Sequence, residues 1–386
     1  MNKQELSEIR RRINIDKNNI DCIRGCYVNS KKEIVSVFNR SILTMPQEEA
    51  EKYLQIFRRT LTGMPGRNLL EISFRPDQVM ESDEHGLLTS LRNTALKVDQ
   101  AVEKFFDRVI DSLQIEDHYL ILLMHDTYDI PFRAKDENRV DAVSEDSFHY
   151  VVCAVCPVKL TKPALAYCAE DNIFHDRDLD WVVAMPELGF MFPSYEDGGS
   201  NIYSCVYYTK DAADSHGEFV DGVFGARAPM PAKEQKEVFE AILGDTLQED
   251  CSLEVVQTVH EQLRERVEAM KAEKSPELPM ISKREVSNML ESCGVPEKRV
   301  EAFQERYDEE FGPAVDLSMQ NIVNMKKFEL KTPDVVVHVN PERSDLVQTR
   351  MIDGSKYILI RADEGVEVNG VNIAISGGAD DDDAPF

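Results

Sequence analysis

The stretches 119-YLILLM-124 and 149-HYVVCAVC-156 decide the fold class of this 386-residue sequence, because both are apolar and β-prone. Three more β-prone stretches follow at 164–168, 181–185 and 202–208, without helical patterns between them. Strands that follow one another in this way usually pair antiparallel. The sequence therefore predicts an α+β fold with a mostly antiparallel sheet.

The longest helical pattern lies N-terminal to these strands, over residues 87–113. Apolar side chains recur there every three or four residues, which predicts one long helix packed along the sheet. At about 1.5 Å per residue this helix would be roughly 40 Å long. Closer to the N-terminus, strand-like runs at 26–28 and 34–38 predict a hairpin, and Thr44 with Gln47 predicts the start of another helix.

Changes of pattern along the chain predict four parts. An α+β domain covers residues 1–245, and a helical segment with a charged, proline-containing linker near 271–279 covers residues 246–325. Strand runs separated by turns predict a small β module over 326–375. A block of aspartates predicts a disordered acidic tail at 376–386.

The helical segment contains the candidate protein-binding surface. Over residues 253–270, side chains recur at steps of three and four, which fits either a partner helix or packing in the core. These side chains are Leu253, Val256, His260, Leu263, Val267 and Met270. Ser282 and Glu285 then predict a capping box for the next helix. The helix after that is strongly acidic, so we expect a plain helical hairpin and not a DNA-reading pair.

The charge disfavours broad nucleic-acid binding, because the net charge is −27 and most of the surface is expected to repel phosphates. The first 60 residues are the exception, with 12 basic and 8 acidic side chains. The candidate contacts to phosphate or nucleic acid are Arg10, Arg11, Arg12, Arg58 and Arg59. Such a run equally fits a solvated helix face.

The location of the protein is predicted from its apolar runs and its cysteines. No apolar run approaches the roughly 20 residues that cross a bilayer, and the first residues lack the apolar core of a secretory signal. The eight cysteines are spread along the chain, and several lie in apolar runs, so we expect them to be reduced. These features predict a cytoplasmic protein without a membrane partner.

Several short motifs resemble known binding or redox sites but lack the residues or the geometry that such sites require. Cys153 and Cys156 have the spacing of redox and zinc motifs, but residues three apart in a strand face opposite sides, so we expect structural cysteines. The run 175–180 has the alternating carboxylates of a calcium loop, but Trp181 stands where that loop needs glycine. Two glycine-rich stretches lack the residues of phosphate and dinucleotide loops, so the sequence assigns no cofactor.

Histidines next to aspartates provide the candidate catalytic and metal-binding residues. They come from two segments and are His125, Asp126, Asp129, His175 and Asp176. Imidazole and carboxylate bind hard metal ions, so a fold that joined the two segments would create a metal site. All of them except Asp129 would then act in a metal-dependent hydrolase or nuclease.

Four stretches make the chain similar to a known family: 2-NKQELSEIRRR-12, 23-IRGCYV-28, residues 63–74 and residues 353–373. They resemble an uncharacterised bacterial family catalogued as domain of unknown function 4317, over nearly the whole chain up to the acidic tail. The resemblance implies a bacterial intracellular protein and assigns no activity, cofactor or catalytic residue. We therefore predict an intracellular binding or regulatory protein, with the metal-dependent hydrolase or nuclease as the alternative.

Overall fold

The computed structural model describes residues 1–130, 147–176, 178–275, 277–362 and 365–374. The chain forms two compact units. Unit 1 contains Met1–Glu237 and Glu273–Leu278, and unit 2 contains Val238–Ala272 and the chain from Pro279 onward. The acidic tail predicted at 376–386 lies outside the described residues.

Both units contain helices and strands. The α-helices are α1 (Lys3–Arg12), α2 (Gln47–Thr60), α3 (Pro76–Glu81), α4 (Asp83–Asn93), α5 (Asp99–Ser112), α6 (Gly217–Phe224), α7 (Ala232–Leu247), α8 (Leu253–Ala272), α9 (Lys283–Ser292), α10 (Glu297–Glu310) and α11 (Met319–Ile322). The first twelve strands are β1 (Cys22–Val28), β2 (Ile34–Ser41), β3 (Leu69–Ser73), β4 (His118–Asp129), β5 (Ser147–Leu160), β6 (Leu165–Cys168), β7 (Ile173–Asp176), β8 (Trp181–Val183), β9 (Leu188–Phe192), β10 (Ser194–Glu196), β11 (Gly199–Asn201) and β12 (Ser204–Thr209). The later strands are β13 (Met280–Ile281), β14 (Leu317–Ser318), β15 (Phe328–Lys331), β16 (Val336–Val339), β17 (Val347–Ile352), β18 (Ser355–Ile360), β19 (Val366–Val368) and β20 (Val371–Ile373).

Unit 1 is built on an eight-stranded antiparallel sheet. Seven strands follow the order β2-β1-β4-β5-β9-β12-β3, and β8 also pairs with β5. Each of these pairings is antiparallel. The predicted hairpin is β1 with β2. The sheet and its helices confirm the α+β class.

Helices cover both faces of this sheet, because the strands send apolar side chains alternately to two cores. One core joins the sheet to α4, α5 and α6 and includes Ile121 and Leu123. The other joins the sheet to α1 and α2 and includes Leu122 and Met124. We call these two sides of the sheet the α5 face and the α2 face.

The single helix predicted over 87–113 is in fact two helices, α4 and α5. Ala95 and Leu96 lie between them with φ values of 49° and 60°, in the left-handed region that a right-handed helix cannot include. Leu91, Leu96 and Val102 nevertheless lie in the same apolar core. The apolar periodicity continues across the break because it reports which side is buried and not whether the helix is continuous.

The two predicted helix starts have different outcomes. Ser282 caps α9, and Glu285 completes the capping box as predicted. Helix α2 begins at Gln47, directly after Pro46, without a side-chain cap. The hydroxyl of Thr44 donates to the carbonyl oxygen of Ser41 at 3.2 Å instead, so the capping role predicted for Thr44 is wrong.

Unit 2 has an apolar core of its own. Helices α7 to α10 contribute buried side chains to it, among them Phe239, Leu263 and Phe303. The C-terminal strands form three antiparallel pairs, β15 with β16, β17 with β18 and β19 with β20. Within the described ranges, no helix combines the length and the apolar character that a membrane-spanning segment requires.

Candidate functional site

A cleft of about 690 Å³ lies in unit 1, at one end of the α5 face of the sheet. We call it the histidine cleft. Strands β4 and β5, the end of α4 and the region around β11 supply its lining. The lining residues are Arg92, Asn93, Ala95, His125, Thr127, Ser147, His149, Ser200 and Ile202.

Strand alternation explains why this end of the sheet is polar. On β4, Leu123 is in the apolar core, and the next residues on the same face are His125 and Thr127. On β5, Val151 is in the core, and His149 follows it on the same face. Thr127 and His149 are register partners. The two neighbouring strands therefore change from apolar to polar at the same level.

The two histidines of the cleft are held differently. Their rings stack with centroids 5.7 Å apart and planes inclined by 26°. The hydroxyls of Thr127 and Ser147 lie 3.1 and 3.0 Å from Nδ1 and Nε2 of His149. Nε2 of His125 is buried and has no hydrogen-bond partner in the described part of the chain. Such an atom marks a place where a bound group could supply the missing hydrogen bond.

The electrostatics of the cleft favour an anion. Burial, and to a lesser extent the nearby His149, Lys97 and Arg92, lower the pKa of His125 to about 4. His125 is therefore neutral at neutral pH. Burial also lowers the pKa of Arg92, at the end of α4. None of the described residues that line the cleft is acidic.

Asp126, which follows His125 in the chain, lies on the α2 face of β4 and is fully buried. Its carboxylate accepts hydrogen bonds from the backbone N–H of Asn19 at 2.7 Å and from the hydroxyl of Tyr150 at 2.6 Å. Burial raises the pKa of Asp126, and these hydrogen bonds oppose the rise. The carboxylate thus attaches the segment after α1 to the sheet. The structure does not bring Asp126 and His125 together.

The other predicted metal ligands lie elsewhere in unit 1. Asp129 is exposed at the end of β4. His175 and Asp176 are exposed on β7, where Nε2 of His175 lies 3.3 Å from Oδ2 of Asp171. In the described part of the chain, His175 forms a group of potential metal ligands with Asp171 and Cys168, and this group contains no residue of β4.

The five N-terminal arginines are divided between two environments. Arg10, Arg11 and Arg58 line a second cleft, of about 400 Å³. Arg58 also pairs with a glutamate of its own helix, α2. Arg12 and Arg59 instead lie over tyrosine rings, at 4.5 and 5.9 Å from the ring centroids. The structure therefore brings together three of the five predicted phosphate contacts.

Cys153 and Cys156 lie on opposite faces of β5, as predicted. Cys153 is in the core of the α5 face and Cys156 is in the core of the α2 face. Burial raises the pKa of both thiols well above the ordinary value. Neither a metal ion nor a disulfide can join two side chains on opposite sides of a sheet, so these cysteines are structural.

Helix α8 turns its apolar stripe into the core of unit 2. Its buried positions include Val255, Val259, Leu263 and Val267. Only the last two belong to the predicted seam, and Val256 of that seam is exposed. Binding of a partner through 253–270 remains a prediction, with less of the seam available than the spacing suggested.

Comparison with known families places the chain in one of them. The family described as Domain of unknown function (DUF4317) matches residues 1–371. The chain belongs to the DUF4317 family. This confirms the resemblance seen in the sequence. No curated protein matches this DUF4317 chain.

Sequence reasoning on this DUF4317 chain found His125 of the histidine cleft but missed His149 and Arg92. His149 had a usable signal, because Ser147 and His149 alternate with the apolar residues of the predicted strand. Arg92 had none. It lies inside a continuous helical pattern, and its position at the cleft depends on the chain leaving the helix after Asn93.

Proposed function

We propose that this chain is an intracellular binding or regulatory protein that holds a small oxyanion, a phosphorylated or carboxylated compound, in the histidine cleft. The observation that supports this most is the charge of the lining. In a chain of net charge −27, the cleft is lined by the positively charged Arg92, by two histidines of which His125 is neutral, and by no acidic residue of the described ranges. Local positive potential would attract an anion despite the negative surroundings.

The lining also supplies the hydrogen bonds that an oxyanion requires. The guanidinium of Arg92 can form two parallel hydrogen bonds with a phosphate or carboxylate. Hydroxyl groups of Thr127 and Ser200 are further donors. A bound oxygen would also give Nε2 of His125 the partner that it lacks. The volume of the cleft falls within the roughly 300–1,000 Å³ typical of small-molecule sites.

Calorimetric titration of the full chain with inorganic pyrophosphate tests the proposal. We expect saturable binding, and we expect Arg92→Gln to weaken it roughly 10- to 100-fold, because a hydrogen bond to a charged group contributes about 1.5–3 kcal/mol. Far-ultraviolet circular dichroism would show whether the variant keeps the fold.

Arg11→Gln is the matched control, because Arg11 lines the other basic cleft. We expect it to leave the dissociation constant for pyrophosphate unchanged. A loss of binding in Arg11→Gln with none in Arg92→Gln would move the site to the second cleft and refute the proposal. Absence of saturable binding to the wild-type chain would refute it as well.

A metal-dependent hydrolase or nuclease remains the alternative, with less support. His125 and Asp126 face opposite sides of β4, and His175 has different neighbours. An enzyme of that class would therefore use the four predicted residues singly and not together, with further ligands from elsewhere in the chain. Metal-dependent hydrolysis of a phosphodiester by the wild-type chain, lost in His125→Ala, would favour the alternative.

A cytoplasmic location is part of the proposal. The eight cysteines are all free, although two pairs of them, Cys22 with Cys26 and Cys153 with Cys156, lie close in the sequence. Free thiols in such number are typical of a reducing compartment.

A further inference from the structure

We infer that the β6–β7 hairpin binds a divalent transition metal ion, Zn²⁺ by preference, through Cys168, Asp171 and His175. The sulfur of Cys168, a carboxylate oxygen of Asp171 and a ring nitrogen of His175 all lie within 4.8 Å of one another. This inference is independent of the proposed anion site, because it concerns other residues and another kind of ligand.

The hairpin itself explains how the three side chains meet. His175 is the register partner of Ala166, and Cys168 lies two residues further along the same strand, so Cys168 and His175 share a face. Asp171 belongs to the turn that joins the strands. Asn172 has a φ of 55°, and its side-chain oxygen accepts a hydrogen bond from the hydroxyl of Tyr167. The turn is thereby held in a conformation that returns Asp171 toward His175.

The separation of these atoms is close to that of a metal site. Zinc–sulfur and zinc–nitrogen bonds of roughly 2.3 and 2.0 Å place tetrahedral ligand atoms about 3.5 Å apart. The ligand atoms of His175 and Asp171 are already 3.3 Å apart, and the sulfur of Cys168 needs to approach them by no more than about 1.3 Å. Side-chain rotation in an exposed hairpin supplies such a movement.

The type of the three ligands selects the metal. Thiolate and imidazole favour Zn²⁺ and related ions over Mg²⁺ and Ca²⁺, which prefer oxygen ligands alone. Three protein ligands leave one tetrahedral position for water or for an outside ligand. The thiol of Cys168 would lose its proton to solvent on binding.

The exposure of the hairpin gives a second, separate reason. β6 and β7 pair with each other in a two-stranded sheet, and Leu165 and Phe174 are 72% and 65% exposed. A two-stranded hairpin without a buried face is marginally stable in water. Metal binding commonly supplies the missing stability in small elements of this kind.

Titration of the full chain with Co²⁺ tests the inference, because thiolate-bound Co²⁺ absorbs in the near ultraviolet. We expect a thiolate-to-cobalt band that saturates at one equivalent and disappears when Zn²⁺ displaces the cobalt. Cys168→Ser should abolish the band. His175→Gln should weaken Co²⁺ binding at least tenfold, because even the loss of a residue that only orients a ligand costs roughly 10- to 100-fold.

Two matched variants serve as controls. Cys293→Ser removes another half-buried cysteine, and His338→Gln removes another histidine that pairs with a carboxylate on a hairpin, at 3.3 Å from Glu329. Both should bind Co²⁺ like the wild type. A wild-type chain without the band, or a band that survives in Cys168→Ser, would overturn the inference. Because none of the four side chains is fully buried, the variants should keep the fold.

Discussion

His125 shows how the fold sets the chemistry of one residue. Its ring lines a cleft, stacks on His149 and is kept neutral by burial, with a pKa of about 4. An unfolded histidine has a pKa of about 6.5. As the pH falls, the unfolded chain therefore takes up this proton before the folded chain does.

The consequence is a measurable loss of stability in acid. Between about pH 6.5 and 4 the unfolded state binds more protons at His125 than the folded state does. The free energy of unfolding therefore decreases as the pH is lowered through this range. Between pH 7 and about 4.5, we expect the free energy of unfolding of His125→Gln to fall by about 1–2 kcal/mol less than that of the wild type. This value allows for solvent screening. Urea unfolding of both proteins at the two pH values measures this difference. Parallel losses in the two proteins would contradict the assignment.

Single residues were predictable where a strand rule applied. The rule that places Cys153 and Cys156 on opposite faces is correct, and it also separates His125 from Asp126. Two neighbours in a strand cannot share a site, so adjacency in the sequence was a misleading sign of chemistry. His149, which stacks on His125, lies on the adjoining strand, and the register of that strand depends on the whole sheet.

At the scale of elements, the close approach of α2, β5 and β9 depends on Gly189. A Cβ atom there would lie 2.4 Å from the carbonyl oxygen of Cys153 and 2.7 Å from Cγ2 of Thr60. The first contact is with backbone in the middle of the sheet, which cannot move without disturbing β5. The absence of a side chain is therefore part of the packing.

Gly189→Ala should destabilise unit 1 by about 2–3 kcal/mol, the upper part of the range typical of an overpacked core. Gly244→Ala is the matched control, because Gly244 lies inside α7 with nothing within 4 Å of the added methyl group. That change should be neutral or should stabilise by up to about 1 kcal/mol, since alanine favours helix. Denaturant unfolding distinguishes them, and equal effects would refute the argument.

The type of each helix or strand was more predictable from the sequence than the residues at which it begins and ends. Apolar alternation and spacing located the β1–β2 hairpin and the strands of the sheet. The break between α4 and α5 was not predictable, because Leu96 keeps its place in the core while the backbone leaves the helix. A local backbone change that preserves burial leaves no trace in the apolar pattern.

At the scale of the molecule, the excess of negative charge is the dominant property. The net charge is −27, and acidic side chains are distributed over both units. Like charges on a compact surface repel one another and lower the stability of the folded state. Dissolved salt screens charges separated by more than about 10 Å at 0.1 M.

Sodium chloride should therefore raise the melting temperature. From about 0.02 to 0.3 M salt at constant neutral pH, we expect an increase of roughly 2 °C or more, which corresponds to about 1 kcal/mol. Differential scanning calorimetry measures it. A melting temperature that stays constant or falls would show that attractive ion pairs outweigh the repulsion.

The order of the strands could not be predicted at this scale. β3 pairs with β12, which lies more than a hundred residues later in the chain, and this pairing depends on contacts that no local pattern records. Composition, by contrast, predicted a globular protein, because the apolar content is sufficient for packed cores.

The hydrogen bond from the backbone of Asn19 to the buried carboxylate of Asp126 has a practical meaning for fragment design. A shortened protein that begins after residue 20 would lose this donor and would also uncover the surface that Leu6, Ile9 and Ile13 cover. It would expose an apolar patch beside the carboxylate of Asp126, which would have lost one of its hydrogen-bond donors. Exposed apolar surface of this kind promotes precipitation. Trimmed versions for crystallisation should therefore keep the first helix.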